Sequence, residues 1–264
     1  MNVYRQLRAF VRLVKFTLLM TVYLFHGTFL FAIYRKSVPR RKRLILHANW
    51  YCRAILKIFS VELICKNLLP PDEGSLLIGN HVGFIDIVCL QAIEPSVFVT
   101  SMEMRKTPVL GQLCEVAGCS YVDRKNRMNI QDELKGMIDV LKEGFRVVLY
   151  AESVSSNGEQ VLPFKKTLMM SAGFAGVPIR PFVFNYRSVN GRPIEFKDRD
   201  SLCWYGPEPF LPAIWRSLQL ETVSCEIEFL PLVFTAPDDD RTAVSEKIHA
   251  MVSEKYVPFV DNTK

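Results

Sequence analysis

Hydrophobic spacing divides the chain near residue 60. Phe16 to Ile33 is an eighteen-residue run with no formal charge. As a helix it would be about 27 Å long, close to the roughly 30 Å hydrocarbon core of a bilayer. Arg43 to Phe59 then reads as an amphipathic helix. Arg43, His47, Arg53 and Lys57 form a polar stripe, and Leu44, Leu46, Trp50, Ile55, Ile58 and Phe59 fill a wide apolar face. A basic stripe, a broad apolar face and a tryptophan suit a membrane-surface helix; a helix packed against a globular domain would show the same pattern. His47 on this stripe, and His249 further on, are expected to be solvated.

After Val61 the pattern changes. Short apolar, β-branched segments at Leu76–Ile78, Val97–Thr100, Val147–Tyr150 and Ile179–Phe184 alternate with helical stretches at Met128–Glu143 and Lys166–Ala175. That alternation predicts an α/β domain with a mostly parallel central sheet flanked by helices. Tyr186 to Leu220 is irregular and rich in Gly, Pro and Trp. Ser224–Phe234 resumes strand character, and Asp238–Tyr256 predicts a closing helix. The expected division is a membrane-anchoring helical segment over 1–60 and a catalytic domain over 61–264.

Charge sharpens this division. Residues 1–60 hold twelve Lys or Arg and no Asp or Glu, while the remaining residues hold 21 basic and 27 acidic side chains. Such asymmetry points to a polyanionic partner for the first segment, nucleic acid or an anionic membrane. The long apolar run decides for the membrane and against nucleic acid. Arg40-Arg41-Lys42-Arg43 beyond the run favours a cytoplasmic catalytic side. Spanning and in-plane placements both remain open. The run is too long, and lacks the small-residue cleavage site, for a cleaved signal peptide. Seven scattered cysteines fit a reducing compartment.

The chemistry concentrates in Asn80-His81-Val82-Gly83-Phe84-Ile85-Asp86. In a continuous helix His81 and Asp86 would lie about 140° apart around the axis. A strand ending before His81, a sharp turn at Gly83 and a helix entered near Asp86 would bring them together. An imidazole can take a proton from an alcohol, and a carboxylate on its other nitrogen fixes the tautomer. A buried histidine beside an unrelated aspartate is the bland alternative. No serine or cysteine sits in a local nucleophile signature such as G-x-S-x-G, so the base would act on an external hydroxyl. Cys114 and Cys119 lack zinc-ligand spacing and suit core packing.

Asn-His-x4-Asp resembles the first motif of the glycerolipid acyltransferases, the 1-acylglycerol-3-phosphate O-acyltransferases and related lysophospholipid acyltransferases. Pro108-Val109-Leu110-Gly111 resembles the P-x-x-G before the second motif. Gly118-Cys119-Ser120-Tyr121-Val122-Asp123-Arg124 is similar to the second, G-x-x-F-[IV]-x-R, and Val177-Pro178-Ile179-Arg180-Pro181 to the fourth. Phe164-Lys165-Lys166 matches an F-K-x segment. The third motif departs: where the family reads F-P-E-G-T-R, this chain has Tyr150-Ala151-Glu152-Ser153-Val154-Ser155. Only the glutamate remains.

The resemblance implies a membrane-associated O-acyltransferase that moves a fatty acyl group from acyl-CoA or acyl carrier protein to a lysolipid hydroxyl, without a cofactor or metal. His81 would be the general base and Asp86 its orienting partner. Asn80 and Gly83 would shape the loop. Gly118, Tyr121, Arg124, Glu152, Ser153 and Lys165 would serve substrate binding, with Arg124 on the anionic head group and Glu152 on acceptor polar groups. The acceptor read first is 1-acylglycerol-3-phosphate. Losing the third-motif arginine also fits a lysophospholipid or lyso-ornithine lipid, and a catalytically inactive membrane scaffold is the reading from another class.

Overall fold

The computed structural model describes residues 3–68, 74–123 and 130–259. Two long helices open the chain, α1 (Val3–Ile33) and α2 (Ser37–Phe59), and the strand β1 (Val61–Lys66) follows directly. Then come β2 (Leu76–Gly79), α3 (Phe84–Ile93), β3 (Val97–Ser101), α4 (Met102–Lys106), α5 (Leu110–Val116) and β4 (Ser120–Val122). The second half adds α6 (Ile130–Lys142), β5 (Val147–Leu149), α7 (Ser171–Ala175), β6 (Ile179–Val189), β7 (Arg192–Pro193), α8 (Arg199–Leu202), α9 (Phe210–Leu218), β8 (Val223–Phe229) and α10 (Arg241–Lys255).

The sheet runs β1-β8-β6-β2-β5-β3-β4, with β7 hairpinned on β6. All neighbours along this order are parallel except β6 and β8. The mostly parallel sheet expected from the alternation is therefore present. Its central strand is all apolar, Leu76, Leu77 and Ile78 being fully buried, as a strand covered on both faces must be. The carboxyl ends of the adjacent parallel strands β2 and β5 open on one edge, the usual ligand-binding edge of such a sheet.

Several expectations change on contact with the structure. The apolar face of α2 is not free: Leu44, Ile55 and Phe59 are buried in the core, and only Leu46 and Trp50 stay exposed, Trp50 at 62%. Arg53 on its polar stripe donates to the Ala92 carbonyl at the end of α3. His47 is buried, with its ring stacked on Tyr23 at 4.6 Å and met edge-on by His26. His249 contacts the Val161 carbonyl at 3.2 Å and packs edge-on against Phe164. The expected helix over Lys166–Ala175 is a 3-10 turn, Leu168–Met170, continued by the five residues of α7. The expected irregular stretch keeps strand β6 to Val189 and carries α8 and α9.

Helix α1 begins well before its apolar run, and its two faces differ. Ala9, Leu13, Phe16, Met20 and Tyr23 pack inward, while Val3, Leu7, Val11, Val14, Leu18, Val22, Phe25 and Phe29 stay exposed at intervals of three and four. Its N-terminal half is tied to the domain by two arginines. Arg8 pairs with Glu221 at 2.9 Å and donates to the Gln219 carbonyl. Arg12 donates to the carbonyls of Leu218, Leu220 and Glu221 and to the Ser60 hydroxyl. These carbonyls lie at and beyond the C-terminal end of α9, where a helix leaves acceptors unpaired and favours a cation.

Replacing Arg12 with Met should keep the alkyl stem and remove every one of those bonds. A charged hydrogen bond of this kind contributes about 1.5–3 kcal/mol. We expect a loss of that size in denaturant unfolding, with new protease cleavage inside α1. Unchanged cleavage would show that Arg12 does not hold the helix down.

Candidate active site

The site forms where β2 meets α3. Asp86 is the third residue of α3, and its carboxylate accepts from the amides of Val82 (2.7 Å) and Gly83 (2.9 Å). These amides lie at the N-cap, Gly83, and one residue before it, where the helix itself supplies no acceptor. The same carboxylate lies 3.1 Å from His81 Nδ1 through both of its oxygens. An acceptor on that side places the ring proton on Nδ1 and leaves Nε2 with a free lone pair. Asp86 is fully buried, and the His81 side chain keeps 17% exposure.

Neighbouring segments fix the loop. The Asn80 side chain donates to the Phe184 carbonyl (3.0 Å) and accepts from the Phe184 amide (2.8 Å). Both halves of the buried amide thus help join β2 to β6, a loop-shaping role. The Ser156 amide donates to the His81 carbonyl and the Trp204 amide to the Val82 carbonyl. Gly83 is extended, at φ 164°, so the expected need for an unusual turn does not hold. Space requires the glycine instead, because a Cβ there would meet the Trp204 nitrogen at 3.0 Å.

Glu152, just past β5, also serves this loop. Its Oε1 accepts from the His81 amide at 3.0 Å, and the buried Oε2 has no partner. Burial raises its carboxyl to about 8, against hydrogen bonds from His81 and Leu162 that pull it down. At neutral pH the group is therefore largely protonated. It is not among the residues that line the cavity described below; the contact the structure shows for it is the one to the His81 amide. Ser153 follows in a left-handed conformation, φ 67°, where the family pattern has glycine.

The sequence did not single out Tyr150. Its ring stacks on the His81 imidazole, 4.2 Å between centroids and 17° between planes. The phenol is pushed up by burial and, secondarily, by the Asp86 carboxylate. Its hydroxyl has no partner meeting hydrogen-bond geometry. An aromatic residue at the first position of the third motif was the only available signal.

His81 also lines an apolar cavity of about 640 Å³. Its walls come from α1 (Phe16, Met20, Tyr23), α2 (Ala48, Tyr51, Cys52, Ile55), α3 (Phe84, Ile87, Val88) and the α5–β4 turn (Cys114, Ala117, Cys119). Ser153, Val154, Ser155 and Trp204 lie at its third-motif side, and the Ser155 hydroxyl is turned onto the Trp204 carbonyl.

The other predicted residues stand apart from that wall. Tyr121 donates to the Gly111 carbonyl at 3.4 Å beneath the Arg105 guanidinium. Gly118 adopts φ 78° against Leu44 and Ile45, a turn-forming role. Lys165 is exposed, and its backbone amide donates to the Ala151 carbonyl. Arg124 lies outside the described residues. Among the described residues no group of three or more His, Cys, Asp or Glu could hold a metal ion.

Comparison with known proteins finds relatives of one kind. The family model described as Acyltransferase matches residues 60–185. The chain is 27% identical over 201 residues to the 1-acyl-sn-glycerol-3-phosphate acyltransferase of Neisseria meningitidis serogroup B, covering 76% of each chain. It is 27% identical over 211 residues to the lyso-ornithine lipid O-acyltransferase of Brucella abortus, covering 77% of this chain and 79% of that one. In fold it is similar to the crystal structure of the 1-acyl-sn-glycerophosphate acyltransferase of Thermotoga maritima. The TM-score is 0.64 at 19% identity, over 97% of this chain and all of the other.

Substitutions at two positions separate the roles assigned here. Glu152→Gln mimics the protonated acid and keeps an acceptor for the His81 amide, so it should retain most activity where Glu152→Ala does not. Because the folded carboxyl titrates above its unfolded range, the wild type binds more protons when folded. Its stability should then fall relative to Glu152→Gln as pH rises from about 5 to about 8, by at most about 1.4 kcal/mol per pH unit. Parallel stability curves across that window would contradict the burial of an acid. Tyr150→Phe preserves the stack and should be nearly silent. Tyr150→Ala should lower kcat up to about tenfold, from the 0.5–1.5 kcal/mol of a stacked pair, with the acceptor KM moving less.

Proposed function

The chain belongs to the acyltransferase family of glycerolipid enzymes, and from that premise we propose that it acylates a lysolipid hydroxyl at a membrane surface, with 1-acylglycerol-3-phosphate as acceptor. The observation that carries this reading is the His81–Asp86 dyad with His81 in the wall of an apolar cavity. His81 Nε2 accepts the acceptor's hydroxyl proton while the oxygen attacks the thioester carbonyl. The tetrahedral intermediate collapses by breaking the carbon–sulfur bond, and the proton passes from His81 to the departing thiolate. Asp86 holds the imidazole in the required tautomer and offsets its transient charge. The acyl chain lies in the cavity. The donor is acyl-CoA or acyl carrier protein, both thioesters whose chain the cavity suits.

Membrane association is supported by α1. Its inner face is packed on the domain from Ala9 to Tyr23, and Arg8 and Arg12 bind domain carbonyls. A helix held in this way lies beside the domain, with its outer apolar stripe, Trp50 and Leu211 (72% exposed) set into one leaflet. The basic residues of 35–43 then meet anionic head groups. Seven free thiols favour the cytoplasmic face.

A second acceptor reading rests on one position. The family's third-motif arginine is replaced by Ser155, whose hydroxyl is engaged by Trp204. One cation fewer for a phosphomonoester fits a lyso-ornithine lipid, the substrate named for the Brucella abortus relative.

The test is acyl transfer by the purified full chain in mixed micelles, with both donor types and a panel of lysolipids. We expect transfer to 1-acylglycerol-3-phosphate and its loss by about 10²–10⁴-fold in His81→Ala. Faster transfer to lyso-ornithine lipid would select the second acceptor. No transfer to any lysolipid, or a His81→Ala protein within about tenfold of wild type, would overturn the mechanism.

A further inference from the structure

The turn from α5 into β4 sets two thiols together in the cavity wall. α5 ends in a Schellman motif: the Cys119 amide donates to the Cys114 carbonyl at 3.2 Å and the Gly118 amide to the Glu115 carbonyl at 3.1 Å. Gly118 supplies the left-handed residue that this turn needs. In such a motif the side chains of the two residues joined by the longer bond commonly touch. Here both are cysteines and both line the cavity, and each bears on the other electrostatically, Cys119 easing the Cys114 thiol down and Cys114 pushing the Cys119 thiol up. Cys89 and Cys225 are a similar pair, but both are fully buried in the core, away from any reagent.

We infer that Cys114 and Cys119 are a reversible dithiol–disulfide site that sets how long an acyl chain the cavity accepts. The control of chain length rests on the cavity being the acyl seat; the disulfide itself does not. Cys114 is the attacking thiol, being partly exposed and eased toward thiolate by Cys119. Its sulfur attacks the terminal oxygen of a hydroperoxide, the O–O bond breaks, and an alcohol or water leaves with a sulfenic acid formed. Cys119 sulfur then displaces water from that sulfenic acid, closing the S–S bond. Two thiols lose two electrons, which reduce the peroxide bond. A dithiol reductant reverses the change by exchange.

The bond shortens the thiol contact to about 2.05 Å and locks the turn. That turn bears on both N-terminal helices. Gly118 lies against Leu44 and Ile45 of α2, and the Tyr23 hydroxyl of α1 donates to the Leu113 carbonyl at 3.3 Å. Drawing it tighter narrows the cavity where this turn lines it.

The experiment uses the full chain in detergent, reduced with dithiothreitol, freed of it, and exposed to hydrogen peroxide. Trypsin releases Thr107–Arg124, which contains both cysteines. In the wild type this peptide should become lighter by two hydrogens, and in Cys114→Ser and Cys119→Ser it should not. Transfer from a long-chain acyl thioester should fall about fivefold against the same protein reduced, the effect of roughly 1 kcal/mol. Short-chain transfer should fall much less, and dithiothreitol should restore both. Each Ser variant, measured against its own reduced form, should lack this response. Retained free thiols, or oxidation to separate sulfur acids, would overturn the site. A disulfide that slows long and short chains equally, or neither, would overturn its control of chain length. A reduced wild type without any acyl transfer would sink the function reading instead, with the peptide mass still deciding the disulfide.

Discussion

The Asp86 carboxylate does two jobs with one pair of oxygens. It accepts the Val82 and Gly83 amides, which starts α3, and it faces His81 Nδ1, which orients the base. Helix geometry makes these compatible, since the third residue of a helix reaches back to the amides before it. The five-residue spacing thus follows from a strand end, a loop and a first helical turn. Moving the aspartate by one position would lose both functions together.

Everything around the dyad restrains its loop. Asn80 bonds Phe184 on β6, Glu152 holds the His81 amide, and Trp204 closes on Val82. A protonated Glu152 lets one buried acid sit near Asp86 without two negative charges meeting in a region of low polarity. Helices α1 and α2 complete the other side. Their inner faces make the cavity wall, and the arginine clamp of α1 keeps the wall attached to the sheet. In the proposed function, membrane contact and substrate seat would share the same two helices, and a lipid chain would enter from the bilayer without crossing water.

Much of this was legible in the residues. The strand–helix alternation gave the parallel sheet, and the Asn-His-x4-Asp spacing gave the dyad. Legibility failed wherever one pattern serves two environments. The apolar face of α2 has the spacing wanted by a bilayer, and by α3 equally well, and burial of Leu44, Ile55 and Phe59 decided for the protein core. His47 lies on a polar stripe by periodicity, yet its stacking partner Tyr23 comes from α1, through packing that no local pattern records. The third-motif resemblance assigns Glu152 to the acceptor; the structure adds a contact to the His81 backbone amide, which carries no sequence signal. Cys114 and Cys119 were discounted for lacking zinc spacing, while a helix-ending turn supplied a different reason for them to meet.

The central claim is that the acyl chain enters between α1, α2 and α3 with its carbonyl beside His81. An acyl donor bearing a photoreactive diazirine near the chain terminus tests this most directly. After irradiation of the full-length protein, label should fall on cavity residues such as Tyr51, Cys52 or Ile87, and unlabelled donor should compete it away. Label confined to the outer stripe of α1, or to Leu211 and Phe234 on the exposed surface, would mean that the cavity is not the acyl seat.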